Sequence, residues 1–141
     1  MSIMKTAILS LVLGAAATAA SAEVVIVASA KSAIGALTTE QAADIFLGKS
    51  STSPGGAPVT PIDQAEGSSV REEFYAKATG KNAAQLKAYW SKQIFSGKGQ
   101  PPKEAGDNNG VKSQLASNPN AIGYIDKSAV DGSVKALATV K

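Results

Sequence analysis

The chain has 141 residues, a formal net charge of +3, and neither Cys nor His. Those two absences exclude disulfides, Cys nucleophiles, His general bases and His- or Cys-ligated metals together. The mild charge, the scattered lysines and the few aromatics argue against a nucleic-acid surface.

Residues 1–22 read as a secretory signal peptide: Lys5 is the positive start, Ala7 to Ala16 an apolar run, and Ala20-Ser21-Ala22 a small-residue cleavage site. The apolar run is too short for a comfortable membrane span. The expectation is an exported chain, periplasmic or secreted, whose residues 23–141 form one domain without a cofactor.

Glu23 to Ser29 is a continuous β-branched run and reads as a buried strand at the centre of an α/β sheet. A Ser/Gly/Ala connector follows. Thr38 opens a helix with Gln41 as capping partner, Ala42, Ile45 and Phe46 on its inner face, and Gly48 at its end. Gly48-Lys49-Ser50 is not a phosphate-cradling P-loop, because position 43 holds Ala where that motif needs Gly. Gly48-Lys49, Gly80-Lys81 and Gly97-Lys98 read as helix stops.

Pro58 to Tyr75 carries the chemistry. Val59 and Ile62 supply a strand, Gly67 a close backbone approach, and Ser69 with Glu72 a capping box opening a helix. A helix mouth presents free N–H groups and partial positive charge, and small residues leave them uncovered, which suits an oxyanion. Arg71 would add a planar cationic fork. The plainer alternative is a helix start that binds nothing.

Val70, Phe74 and Ala78 should face the core. Asn82 and Gln85 cap a further helix whose apolar stripe is Leu86, Tyr89, Trp90 and Ile94, with Trp90 a core or rim anchor. Ser96 to Gly106 reads as a long irregular loop stiffened by Pro101-Pro102, either functional or a solvated crossover. Asp107 to Gly110 opens a short helix with Val111 and Leu115 inward, stopped at Asn118-Pro119. Ala121 to Ile125 is a strand, Asp126 caps a single turn through Val130, and Ser133 to Val140 is a last strand. This alternation indicates a sheet covered by helices.

Several stretches together resemble the periplasmic phosphate-binding proteins of ABC transporters. Leu37 to Lys49 resembles their Ile-Phe-x-Gly-Lys segment, Val59 to Phe74 their phosphate loop, and Gly110-Val111 with Asn118 to Tyr124 their return segment. Order and spacing agree over most of residues 24–126. The chain is thus similar to a small PstS-like member of the type 2 periplasmic-binding superfamily. The resemblance implies one lobe of that α/β fold, a mixed, mostly parallel sheet of about four to five strands flanked by helices.

It also implies a ligand-binding set of Gln64, Glu66, Gly67, Ser68, Ser69, Val70 and Arg71. Gly67 and Ser68 match the family loop, and Arg71 matches an arginine some members carry. Gln64 stands for an arginine, Glu66 for an aspartate, Ser69 for a glycine and Val70 for a threonine. A buried cation and one hydroxyl are therefore missing. The function implied is periplasmic binding of an inorganic oxyanion, phosphate first, linked to phosphate uptake or sensing. Its partners would be a membrane transporter or sensor, or a second copy of the chain.

Two other classes stay open. One is an interaction module that docks on a membrane or periplasmic partner with little anion binding. The other is an enzyme using Ser68 or Ser69 with Lys98 or Lys103, for which the sequence gives no sign that the groups meet.

Overall fold

A computed structural model describes residues 23–141, so the signal-peptide reading of residues 1–22 lies outside the described residues. The elements are β1 (Val24–Ser29), α1 (Thr39–Phe46), β2 (Thr60–Asp63), α2 (Ser69–Thr79), α3 (Ala83–Phe95), β3 (Lys103–Glu104), α4 (Asn108–Ser117), β4 (Ala121–Asp126) and β5 (Val134–Val140). A short 3-10 turn, Lys127–Ala129, follows the Asp126 cap as expected.

The sheet order is β3-β2-β4-β1-β5. β2 pairs in parallel with both β3 and β4, whereas β1 is antiparallel to both β4 and β5. Four strands therefore share one direction and β1 opposes them. β1 is buried along its whole length. Successive side chains point to opposite faces of a strand, and here each face has its own core. Val24, Ile26 and Ala28 join Phe46, Phe74, Tyr75, Leu86 and Trp90 on the side of α1, α2 and α3. Val25 and Val27 join Val111, Leu115 and Ile125 on the side of α4.

The helix ends follow local chemistry. Thr38 and Gln41 close a reciprocal capping box on α1, and Asn82 and Gln85 do so on α3. Gly48, Gly80 and Gly97 take positive φ of 74°, 71° and 71° just past α1, α2 and α3, so the repeated Gly-Lys pairs are helix stops. Asp107 caps α4 by accepting from the Gly110 N–H at 2.9 Å.

Small residues let α4 lie close to the chain. A Cβ on Gly123 would come within 2.4 Å of the Val111 side chain, and one on Gly110 within 1.7 Å of the Ala105 carbonyl oxygen. Among the described residues no helix is long and apolar enough to cross a membrane.

Three expectations need correction. The cap of α2 is Ser68, whose hydroxyl accepts from the Arg71 N–H at 3.2 Å, so Ser69 and Glu72 form no capping box. The stretch from Ser96 to Gly106 is not wholly irregular, because Lys103–Glu104 pair with Ile62 and Asp63 as an edge strand. Ile94 faces solvent, 47% exposed, instead of continuing the stripe of Leu86 and Trp90.

Candidate functional site

β2 carries the chain from the sheet edge into the loop before α2, and the loop is anchored by a buried acid the sequence reading missed. Asp63 accepts from the Tyr124 hydroxyl and from the Gln64 N–H at 2.9 Å through one oxygen. Its other oxygen accepts from the Tyr75 hydroxyl at 2.7 Å and lies 3.9 Å from the Arg71 guanidinium. Phe46, Phe74, Tyr75 and Tyr124 pack their rings together beside it, Phe74 stacked on Tyr124 at 4.2 Å between centroids. The tyrosines thus turn apolar faces to the core and hydroxyls to the acid.

Burial pushes the Asp63 carboxyl above its usual range, against the opposing pull of Tyr124, Arg71 and Tyr75. Burial foremost, and then the Asp63 charge, drive both tyrosine hydroxyls far above their ordinary value. Burial works against the Arg71 charge, but Asp63 and Glu104 outweigh it, so the guanidinium stays cationic.

The predicted ligand set is brought together, with its members in different states. Gln64 is buried and its side chain is fully engaged. Its amide donates to Asn108 Oδ1 at 2.9 Å and to the Tyr124 carbonyl at 3.0 Å, and its Oε1 accepts from the Ser68 hydroxyl at 2.8 Å. Gln64 therefore ties β2 to β4, α4 and the α2 cap. The Ser68 hydroxyl, holding Gln64 and the α2 cap, meets neither lysine of the imagined Ser–Lys pair. Val70 turns its side chain into the core.

Glu66, Gly67 and Ser69 are exposed. Gly67 has φ of +90°, and a Cβ there would meet nothing within 4 Å, so the space above it is open. The amides of Glu66, Gly67, Ser69 and Val70 have no acceptor among the described residues. They surround one helix mouth, where free amides and the aligned peptide dipoles favour negative charge.

Arg71 stands beside this mouth but is already paired. Its Nη1 donates to Glu104 Oε1 at 2.9 Å and to the Gln64 carbonyl at 3.0 Å. Glu104 reaches it because β3 pairs beside β2. A groove of about 230 Å³ runs from the mouth toward α3, lined by Arg71, Tyr75, Leu86, Trp90 and Pro101 among others. Trp90 is buried as expected of a core anchor, and its indole N–H has no acceptor among the described residues.

Asp63, Tyr75, Glu104, Asn108 and Tyr124 are the site-forming residues that pattern reading overlooked. The two tyrosines sit at apolar-looking positions, and only the acid directly after the apolar Ile62 hinted at a buried polar knot.

The chain matches no protein-family model and no curated protein sequence. Solved structures do match. One is a candidate phosphate ABC transporter substrate-binding protein with bound phosphate from Clostridium perfringens, at 27% identity and a TM-score of 0.61, over 82% of this chain and 44% of that one. A second is PstS from Borrelia burgdorferi, at 17% identity and a TM-score of 0.60, over 83% of this chain and 47% of that one. A third is an ABC-type phosphate transport receptor from Vibrio cholerae, at 20% identity and a TM-score of 0.57, over 82% and 45%.

The chain has a PstS-like fold. It spans less than half the length of these three proteins and is a single-lobe version of that fold. The mixed five-stranded sheet flanked by helices agrees with the architecture expected from the resemblance. These structural neighbours are substrate-binding and transport proteins by description, not enzymes.

Proposed function

We propose that this chain binds an inorganic oxyanion, phosphate first, at the mouth of α2. The observation that carries the reading is the set of unpaired amides at Glu66, Gly67, Ser69 and Val70 around an open Gly67. The PstS-like fold adds support, since one structural neighbour was solved with phosphate bound. In this reading the protein works in the periplasm after export, in phosphate uptake or sensing, with a membrane transporter or sensor as partner.

Backbone donors would hold the anion, with Arg71 balancing its charge from the side. Binding should be weak. Arg71 shares its charge with Glu104 and Asp63, and Gln64 adds no cation. An open mouth leaves the anion half solvated, and solvent weakens charge-assisted hydrogen bonds.

The test is isothermal titration of residues 23–141 with phosphate and with sulfate, on the parent and on Ser69→Pro. Ser69 is the first residue of α2, a position where proline is tolerated, and the change removes the N–H together with the exposed side-chain hydroxyl. Ser68 before it has φ of −63° and ψ of 127°, which a following proline accepts. We expect heat at millimolar anion that falls roughly tenfold in affinity in Ser69→Pro, with an unchanged melting temperature. No heat from the parent would overturn the reading.

One observation favours a second reading, a docking module with little anion binding. The side chains of Gln64, Ser68 and Arg71 are all committed to internal partners. An absent anion response together with a stable fold would select it.

A further inference from the structure

Two features coincide on α3, whose edge at Lys87 and Ile94 also lines the groove that runs from the α2 mouth. The first is apolar exposure. Among the described residues the exposed large hydrophobics are Ile94 and Phe95, adjacent at the end of α3, and Phe95 is 96% exposed. The second is charge. Between Glu73 and Glu104 the chain carries Lys77, Lys81, Lys87, Lys92, Lys98 and Lys103 and no acidic residue. Lys77 pairs with Glu73, and Lys81 lies over the Tyr89 ring. Lys87, Lys92, Lys98 and Lys103 are exposed and form no ion pair with any described residue.

Helix geometry puts Phe95 and the lysines on one face, with Ile94 turned about 100° from Phe95 toward the groove beside Trp90. Leu86 and Trp90 point to the core. At about 100° per residue, Phe95 lies on the opposite side, about 80° round from Lys87 and about 60° from Lys92. Ala84, Ala88 and Ser91 fall on the same side, and all are exposed. The solvent face of α3 is therefore a smooth, small-residue strip ending in a bare aromatic ring, with lysines on both flanks and Lys98 just beyond.

We propose that this face docks on a lipid bilayer bearing anionic phospholipid headgroups. The ring would enter the headgroup–acyl boundary while the lysines reach their ammonium groups to the lipid phosphates. Charge complementarity selects the occupant. A second copy of the chain would bring like-charged flanks together across a two-fold contact. A protein partner is disfavoured by composition, because every cation of this stretch is lysine. Lysine is depleted at protein interfaces, where arginine is enriched. A compact ammonium on a flexible stem suits a diffuse anionic surface better than a shaped pocket.

The proposal is independent of the α2 mouth, and Ser69→Pro should bind vesicles as the parent does. The test is co-sedimentation of residues 23–141, which hold both hydrophobic clusters, with phosphatidylcholine vesicles with and without about a third phosphatidylglycerol. The parent should sediment with the anionic vesicles at low salt and be released as salt rises. Phe95→Ser and the double variant Lys92→Glu, Lys98→Glu should each lower the apparent partition at least about tenfold. These side chains are exposed, so melting temperatures should match the parent. No sedimentation at low salt, or binding that survives both changes, would overturn the proposal. So would Phe95-dependent capture of an acidic soluble protein with no vesicle binding, which would assign the face to a protein.

Discussion

Asp63 shows how one residue can organise a site that its neighbours advertise. Gly67, Ser68 and Arg71 stand out in the sequence, yet Asp63 holds the two tyrosine hydroxyls and steadies the arginine. Its consequence appears in tyrosine titration. The protein has three tyrosines, Tyr75, Tyr89 and Tyr124. Burial and the Asp63 charge hold Tyr75 and Tyr124 in the protonated form well above their usual range. A hydroxyl whose folded pKa is raised contributes its stability fully below pH of about 10 and loses it as pH climbs through the folded value. Ultraviolet absorbance of phenolate, followed during alkaline titration, should therefore show Tyr89 ionising first. The other two should ionise together with loss of the fold. Early titration of all three in the native protein would mean that the Asp63 knot does not form.

The elements divide between those whose boundaries are written locally and those set by distant contacts. α2 separates the two cases within adjacent residues. Ser68 and Ser69 are the same residue type side by side, and the local pattern favours Ser69, which alone has Glu72 at the capping-box spacing. Ser68 takes the cap because its hydroxyl can also donate to Gln64, itself fixed by Asn108 and Tyr124. Ser68→Ala should cost about 1–2 kcal/mol in urea unfolding, while Ser69→Ala should stay within about 0.5 kcal/mol. Equal losses would return the cap to Ser69.

The same division explains what was legible. The capping boxes at Thr38 and Asn82, the glycine stops and the β-branched run of β1 are short-range signals, and all were readable. β3 was not, because its two exposed residues carry no periodicity and become a strand only by pairing with Ile62 and Asp63. Ile94 obeys the helical period, but α3 ends where the core no longer reaches it. In the candidate site the open backbone around Gly67 could be foreseen. The satisfaction of Gln64 and Arg71 by Tyr124, Asn108 and Glu104 could not, since those partners arrive from far along the chain.

At the scale of the whole molecule, one sheet separates two hydrophobic clusters, and β1 contributes alternate residues to each. The two sides should therefore melt as one unit. Phe74→Ala on one side should cost about 3–5 kcal/mol and Leu115→Ala on the other about 2–5 kcal/mol. In both variants Trp90 fluorescence and far-ultraviolet dichroism should give coincident transitions. Separate transitions would show that the α4 side folds alone.

The position of β1 also orders events in time. A ribosome delivers Val24 early, but its sheet neighbours are Asp126 on one side and Val140 on the other. No native strand can flank it until β4 and β5 have been made. Neither cluster can be completed before then, since β1 threads both, and pairing with β4 and β5 is the step that closes them.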